Sequence, residues 1–306
     1  MTIVMRPLRI SAISYLNTAP LMWDFEHGQT PVLGKNHQGP SEPGAQPDFE
    51  FAYTVPSQCA EQLRDGTADI GIIPSITYAT IPNLIIIPNA AIAARDAVRS
   101  IVLACKKPWE DVRSIALDTS SRTSVALTRI LSEKFIGGPN RDYVSMSPDL
   151  TAMLERCDAA LLIGDPALVC AIRADAGELD NLHVYDLGRE WHRFTGLPFV
   201  FAFWAVRLAA LGEIRRGLDL QEVFSNSRDH GTDPDNIKAI ARQWAPKLAV
   251  SEAEIQRYLS ENINFCLDES NFAGLEMFYN YAAELGLIDE VPTLRFVGTS
   301  ALKLCS

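Results

Sequence analysis

Several kinds of chemistry lack supporting residues in this chain of 306 amino acids. No second histidine or cysteine stands within five residues of any of its scattered histidines, which are His27, His37, His183, His192 and His230. Zinc motifs need closely spaced ligands of these types. The phosphate-loop, dinucleotide-binding and nucleophile-elbow motifs are absent as well. The sequence therefore predicts neither a metal site nor a bound cofactor.

Paired cysteines and long apolar runs are also missing. The chain has six cysteines and no Cys-x-x-Cys, and several cysteines stand in apolar runs, which predicts buried thiols in a reducing compartment. No apolar run reaches the roughly 20 residues that a membrane helix needs. The first residues show no signal-peptide pattern, so we expect a cytoplasmic protein.

Positive charge is scarce. The chain carries 27 lysines and arginines against 38 aspartates and glutamates, a net charge of −11. This balance argues against nucleic acid and against an anionic membrane as partners. A small anionic ligand stays compatible, because a local group of donors can oppose the overall field. The length favours two domains over one. We expect a monomer or a homodimer.

Residues 114–131 hold an unusual concentration of hydroxyl groups. A short apolar run ends at Asp118, and helical spacing of apolar residues begins at Val125. Between them stand Thr119, Ser120, Ser121, Arg122, Thr123 and Ser124. A helix N-terminus offers unpaired amides and partial positive charge, so these residues predict an anion site. The alternative is an ordinary N-cap, which needs one hydroxyl. Asp118 is either a base or a helix-capping or loop-fixing residue.

A second polar segment follows the first predicted strand, residues 8–13. It contains Tyr15, Asn17 and Thr18 ahead of Pro20. Open α/β sheets bind ligands at the carboxyl ends of their strands, which favours a ligand site here. The alternative is a plain turn, in which Asn17 or Thr18 caps a helix with Pro20 in its first turn.

A third segment joins the apolar run 159–163 to a helix. Its sequence predicts Asp165 as the N-cap and Pro166 as the first helical residue. Gly164 has no side chain, so another group can approach the backbone there. Residues 28–48 are rich in glycine and proline, and we predict a surface loop without a function of its own.

The order of elements predicts the architecture. Apolar strands alternating with short helices indicate parallel sheets covered on both faces. We expect two α/β lobes, residues 1–97 plus 203–306 and residues 98–202, with the ligand in the cleft between them. Strands at 98–104 and 199–206 are predicted to cross between the lobes, so that residues 98–100 and 198–203 lie side by side. The helical tail packs on the first lobe. Residue patterns alone reach a two-lobed binder of a small anion.

Four segments taken together carry a family resemblance: residues 13–20, 118–124, 162–165 and 186–199. In this order they resemble the chorismate dehydratases of the futalosine route to menaquinone. The resemblance spans about residues 8–206 and implies the fold of the type II periplasmic binding proteins. It places Asn17 at the reacting centre. The candidate substrate-binding residues are Tyr15, Ser75, Ser100, Thr119, Ser120, Ser121, Arg122, Thr123, Ser124, Gly164, Asp165, Thr195, Gly196 and Leu197. Of these, Ser75 is our candidate from the first lobe.

The resemblance also implies a reaction. Chorismate would lose water to give 3-[(1-carboxyvinyl)oxy]benzoate, and the ring would become aromatic. The amide of Asn17 is no base at neutral pH, so we expect the enolpyruvyl carboxylate of the substrate to accept the proton. A related enzyme of the same route uses a histidine where this chain has Gly164. The alternative function is that of a solute-binding protein for a small anion.

Overall fold

The computed structural model describes residues 6–28, 32–33, 48–213 and 218–298. The strands of this part of the chain form two sheets. In chain order they are β1 (Leu8–Ile13), β2 (Val32–Leu33), β3 (Phe49–Thr54), β4 (Ile70–Pro74), β5 (Leu84–Ala94), β6 (Ile101–Cys105), β7 (Ser114–Asp118), β8 (Asp142–Met146), β9 (Ala159–Ile163), β10 (His183–Asp186) and β11 (Phe199–Arg207). The spatial orders are β2-β3-β1-β4-β11-β5 and β10-β6-β9-β7-β8.

Twelve α-helices are present in the same residues: α1 (Trp23–His27), α2 (Pro56–Asp65), α3 (Ser75–Tyr78), α4 (Thr123–Ile130), α5 (Leu150–Arg156), α6 (Gly164–Asp175), α7 (Leu187–Thr195), α8 (Leu208–Leu211), α9 (Leu220–Gly231), α10 (Pro234–Leu248), α11 (Glu252–Arg257) and α12 (Glu269–Glu284). Short 3-10 helices cover Leu16–Met22 and Trp109–Asp111, and π-helical turns cover Leu131–Ile136 and Tyr258–Asn262.

Both sheets are mixed. In the first sheet β1 runs parallel to β3 and β4, as predicted, but β11 runs antiparallel to β4 and β5. In the second, β7 is parallel to β8 and β9, and β6 is antiparallel to β9 and β10. The prediction of purely parallel sheets is therefore wrong for the strands next to each crossing. Every residue of β4 and β5 is buried, which fits sheets covered on both faces.

The crossings differ from those predicted. Residues 98–100 form no strand; the chain bends there, with Arg99 at φ +61°, before β6 begins at Ile101. The strand beside the start of β11 is the end of β5, with Phe199 opposite Ala94. The predicted pairing of residues 98–100 with residues 198–203 is thus wrong. The bend is nevertheless fixed: the carboxylate of Asp186 accepts hydrogen bonds from the amides of Val98 at 3.1 Å and Arg99 at 2.6 Å.

The C-terminal helices contact the first sheet and also helices that belong to the second lobe. α9 packs on the 3-10 helix at residues 16–22 and on β5, whereas α12 packs on β11 and on α4. Phe135 and Tyr281 meet edge to face at 5.6 Å between ring centroids. The tail therefore does more than the predicted packing on the first lobe. The domain boundaries at residues 97 and 203 stay a prediction.

Three smaller predictions have mixed outcomes. Most of the predicted 28–48 loop lies outside the described residues, but Val32–Leu33 forms a strand beside β3. The predicted helical tail is present from Leu220 to Glu284 as α9 to α12, and residues 214–217 are not described. Four cysteines (Cys59, Cys105, Cys157 and Cys170) are buried thiols, whereas Cys266 is disulfide-bonded, which corrects the prediction there. Among the described helices, none combines the length and apolar character of a membrane span.

Candidate active site

A cavity lies between the two sheets. Six of the predicted site residues line it: Tyr15, Asn17, Ser121, Thr123, Ser124 and Gly164. Apolar side chains from both sheets complete the wall, among them Ile92, Ile163 and Phe201. The cavity has a volume of about 50 Å³, so the lobes are close together here.

Tyr15 and Gly164 meet across this cavity. A Cβ atom at Gly164 would lie 2.8 Å from ring carbons of Tyr15, closer than real contacts allow. Gly164 also adopts φ +63°, in the left-handed region that favours glycine. The close approach predicted at Gly164 is thus made by the Tyr15 ring. Burial raises the pKa of Tyr15, so its hydroxyl is protonated at neutral pH.

Asn17 does not cap a helix. The 3-10 helix begins at Leu16, and its N-cap residue, Tyr15, makes no side-chain cap hydrogen bond. The alternative interpretation, in which Asn17 or Thr18 is a cap, is therefore wrong. Asn17 is 8% exposed, and its Oδ1 accepts a long hydrogen bond of 3.4 Å from the Thr18 hydroxyl. Asn17 lines the cavity, and its side chain also lies beside the buried hydroxyl of Tyr258.

The hydroxyls before α4 have separate tasks. Ser121 Oγ accepts from the amide of Ser124, in the first turn of α4, at 3.2 Å. The amide and hydroxyl of Ser120 both donate to Asp118 Oδ1, at 2.8 and 2.6 Å, which makes Asp118 a loop-fixing residue. Burial raises the pKa of Asp118, and the bonds from Ser120 lower it. Among the described residues, the backbone amides of Arg122 and Thr123 have no acceptor. They keep the anion-binding character predicted for this helix start.

Arg122 and Thr119 lie outside the cavity wall. Arg122 forms an ion pair with Glu61 of α2 at 2.9 Å, across the lobes. Thr119 is exposed, and its amide donates to the carbonyl of Met146. A substrate-binding role for either residue stays a prediction.

Further hydrogen bonds join the two sides of the cleft. Ser75, fully buried, donates to the Val200 carbonyl at 2.8 Å and lies 3.3 Å from Thr123 Oγ1. The same Thr123 oxygen accepts from the Ile76 amide at 3.2 Å. The structure thus brings Ser75 and Thr123 together, as the prediction of opposite-lobe partners requires.

Tyr258 is a residue that the sequence analysis missed. It is 2% exposed and comes from the π-helical turn after α11. Burial raises its pKa, while the side chains of Ser100 and Asn17 beside its hydroxyl lower it. Ser100, a predicted site residue, lies beside this hydroxyl and does not line the cavity. A tyrosine in a helical tail looks like any packing residue, so no sequence signal distinguished it.

Asp165 has a different partner from the one predicted. α6 begins at Gly164 with Ile163 as the N-cap residue and no side-chain cap bond, so the N-cap prediction for Asp165 is wrong. Its Oδ1 accepts instead from the amide of Leu16 in the opposite lobe, at 3.0 Å. Burial raises the pKa of Asp165 to about 6, whereas the Leu16 amide and Lys247 lower it.

Thr195, Gly196 and Leu197 form the end of α7. Thr195 Oγ1 donates to the Trp191 carbonyl at 2.8 Å and accepts from the Leu197 amide at 3.1 Å. Gly196 ends the helix in the left-handed conformation, at φ +70°. None of the three lines the cavity. Their role in substrate binding stays a prediction.

Comparison with known families accounts for this combination. A family model described as menaquinone biosynthesis matches residues 8–284 of the chain. The chain belongs to this family. The match extends beyond the segments that carried the resemblance and includes α9 to α12, hence Tyr258.

Two curated relatives are both named chorismate dehydratase. The chorismate dehydratase of Thermus thermophilus is 28% identical over 250 residues, which are 78% of this chain and 88% of the relative. The chorismate dehydratase of Campylobacter jejuni is 30% identical over 202 residues, 65% of this chain and 68% of the relative.

Solved structures confirm the fold class. The periplasmic aliphatic sulphonate-binding protein of Escherichia coli superposes with a TM-score of 0.61 at 15% identity, covering 94% of each chain. At that identity the likeness concerns the fold alone. The two α/β lobes with a cleft between them are those of the periplasmic binding proteins, as predicted.

Proposed function

We propose that this protein is a chorismate dehydratase, a hydro-lyase that converts chorismate to 3-[(1-carboxyvinyl)oxy]benzoate and water. The observation that carries the proposal is the placement of Asn17. This buried amide has no cap to make and faces a cavity whose other side is the helix start at Thr123. Membership of the menaquinone family supports the same conclusion.

The wall of the cavity fits this reaction in what it offers. Apart from Tyr15, no described residue that lines it has a titratable side chain. The C3 proton therefore passes to the enolpyruvyl carboxylate of the substrate, and the C4 hydroxyl leaves as the C3–C4 double bond forms. Proton and hydroxide together make the water that is lost. Asn17 donates hydrogen bonds to the charge that develops.

The start of α4 suits a carboxylate of the substrate. The unpaired amides of Arg122 and Thr123 and the hydroxyl of Ser124 stand at the positive end of the helix. The Tyr15 hydroxyl, 3.4 Å from Ser120 Oγ, is a further donor from the first lobe. We place this chemistry in the cytoplasm, on a small-molecule substrate, in a monomer or homodimer.

The test is direct. Purified protein is mixed with chorismate, loss of the diene absorbance is followed, and the product is identified by mass. Production of the enol ether of 3-hydroxybenzoate that is lost in Asn17→Ala supports the proposal. Intact chorismate after long incubation with wild-type protein contradicts it.

The likeness to a sulphonate-binding protein favours one other candidate, a solute-binding protein for a small anion. One experiment distinguishes the two functions. A solute-binding protein binds chorismate or another small anion without converting it, and calorimetry then shows binding with no turnover.

A further inference from the structure

Asp165 makes a contact that its own helix does not need. An aspartate at the start of a helix ordinarily accepts a bond from an amide of that helix. Here the N-cap residue is Ile163, no side chain caps α6, and the Asp165 carboxylate points across the cleft. Its acceptor oxygen lies 3.0 Å from the Leu16 amide, which belongs to the other sheet's side of the cavity.

Tyr15 and Gly164, which precede Leu16 and Asp165 in the chain, make a second contact at the same place. The ring of Tyr15 lies directly on Gly164, and a side chain at residue 164 would collide with this ring. Two consecutive residues of the first lobe, Tyr15 and Leu16, therefore dock on two consecutive residues of the second, Gly164 and Asp165. The next residue along the chain is Asn17.

The turn that carries Asn17 packs on α9, and the carbonyl of Leu21 within it accepts a hydrogen bond from Ser227 at 2.9 Å. The beginning of the turn is held less, because the N-cap residue Tyr15 makes no side-chain cap bond. The amide of Leu16 is the first of the 3-10 helix, and a helix cannot supply an acceptor for its own first amides. Asp165 supplies it. A charged acceptor makes a hydrogen bond about twice as strong as a neutral one.

We propose that Asp165 is a positioning residue: from the second lobe its carboxylate holds the turn that carries Asn17, so that Asn17 reaches its working position only when the lobes are closed. The inference rests on the proposed function for the reacting role of Asn17. The anchoring itself does not depend on which substrate is bound.

The charged and titratable groups that face Asp165 are Lys247 of α10, the Tyr15 hydroxyl and the Tyr258 hydroxyl. Lys247 favours the charged carboxylate, while burial opposes it, and the pKa of Asp165 stands at about 6. The anchor is therefore ionised at pH 7.5 and becomes protonated as the pH falls through about 6. The hydrogen bond between Asp165 and the Leu16 amide therefore weakens below about pH 6.

The first test needs no substrate. Amide hydrogen exchange is measured at pH 7.5 for a peptide covering residues 14–22, in wild type, Asp165→Ala, Asp165→Asn and a control, Asp149→Asn. Asp149 also accepts a backbone amide, that of Ala152 at the start of α5, away from the cleft. We expect the protection of this peptide to fall about tenfold or more in Asp165→Ala, less in Asp165→Asn, and not at all in the control. Equal protection in all four proteins overturns the proposal.

The second test uses turnover of chorismate. Loss of one charged hydrogen bond corresponds to a factor of about 10 to 100, which we expect in kcat rather than KM for Asp165→Ala. Wild-type kcat falls below pH about 6, whereas Asp165→Asn, which keeps an acceptor but cannot ionise, gives a lower value without that step. An Asp165→Asn profile with the wild-type step overturns the proposal. If wild type does not convert chorismate at all, the proposed function fails, and the exchange experiment alone decides the anchoring.

Discussion

At the scale of single residues, the cavity is defined by what its side chains are free to do. Ser120, Ser121 and Thr123 already make hydrogen bonds within the protein. Asn17 is buried and is the one carboxamide among the cavity-lining residues that the structure describes. In the proposed function this difference separates Asn17, as the reacting residue, from residues that shape the site.

Asn17→Asp tests that separation. In the proposed site it places a negative charge beside a dianionic substrate, and at ~4 Å with an effective dielectric near 20 each like-charge pair costs on the order of 4 kcal/mol before screening. We expect turnover to be lost while the melting temperature holds. Asn17→Ala should lose turnover too but bind the product better than Asn17→Asp, because it adds no charge. Turnover, product affinity and melting are measured for both, and wild-type turnover in both contradicts a reacting role for Asn17.

Gly164→Ala tests the contact with Tyr15, and the chain offers a matched control. Gly164 and Gly177 both have positive φ, +63° and +75°, so alanine costs about 1–2 kcal/mol of backbone energy at either. At Gly177 the nearest atom to an added Cβ is 3.5 Å away, whereas at Gly164 the Tyr15 ring is at 2.8 Å. We expect Gly177→Ala to lower only the melting temperature, and Gly164→Ala to reduce turnover at least tenfold as well. Equal turnover in the two variants contradicts the importance of this contact.

At the scale of elements, the sequence predicted where the strands lie in the chain better than how the strands pair with one another. β1 has the predicted bounds, and the apolar run before Gly164 is β9, because buried strands leave a clear hydrophobic signal. The direction of β11 could not be read, since it is set by the path between the lobes and not by local pattern. The bend at residues 98–100 was not predicted, because Val98 is apolar and buried like a strand residue. The carboxylate that fixes the bend belongs to Asp186, which is distant in sequence.

The site was predictable to a similar extent. The segments at Tyr15, Thr123 and Gly164 do meet at one cavity, because polar residues at strand ends gather at one edge of a sheet. The contact between Asp165 and the Leu16 amide was not predictable, because a local cap was available for the same side chain. Tyr258 was invisible because its neighbours decide its role, and they come from other elements.

The ion pair between Arg122, at the start of α4, and Glu61 of α2 joins two elements of the structure. Both side chains are partly exposed, at 34% and 53%, so the pair is worth less than about 1 kcal/mol and is screened by salt. We expect Arg122→Gln and Glu61→Gln to lower the melting temperature equally and slightly at low salt, with KM alike within about twofold. Melting and KM at two salt concentrations test this. A tenfold rise in KM for Arg122→Gln alone would instead show that Arg122 binds the substrate.

At the scale of the whole molecule, the buried charge of Asp69 joins three strands of the first sheet. Asp69 has no exposed surface, and its carboxylate binds Arg6 and Arg9 at 2.5 and 2.9 Å, with Arg207 at 3.9 Å. Its backbone amide donates to the Arg9 carbonyl, and its carbonyl accepts from the Arg207 amide. The strands β1, β4 and β11 therefore meet at this residue.

The charge of Asp69 makes stability depend on pH. Burial raises the pKa of Asp69, but hydrogen bonds from Arg9 and Arg6 outweigh it and hold the pKa well below its usual range. A carboxyl whose pKa is lower in the folded state contributes stability above its unfolded pKa of about 3.9, and loses it as the pH falls from there towards the folded pKa. The contribution is complete at pH 7 and declines only in acid below about pH 4.

Asp69→Asn measures this contribution. Removing one partner from a buried ion pair costs about 3–5 kcal/mol, and we expect the lower end because the arginines are 33% and 44% exposed. Denaturant unfolding at pH 7 should show the loss, and the gap between wild type and variant should narrow as the pH falls below about 4. Asp235→Asn is the control, since that carboxylate also pairs with a cation, Lys238, but on the surface, and its loss should go unnoticed. A gap that stays constant from pH 7 to pH 2.5 would mean that Asp69 stabilises the sheet through its shape and not through its charge.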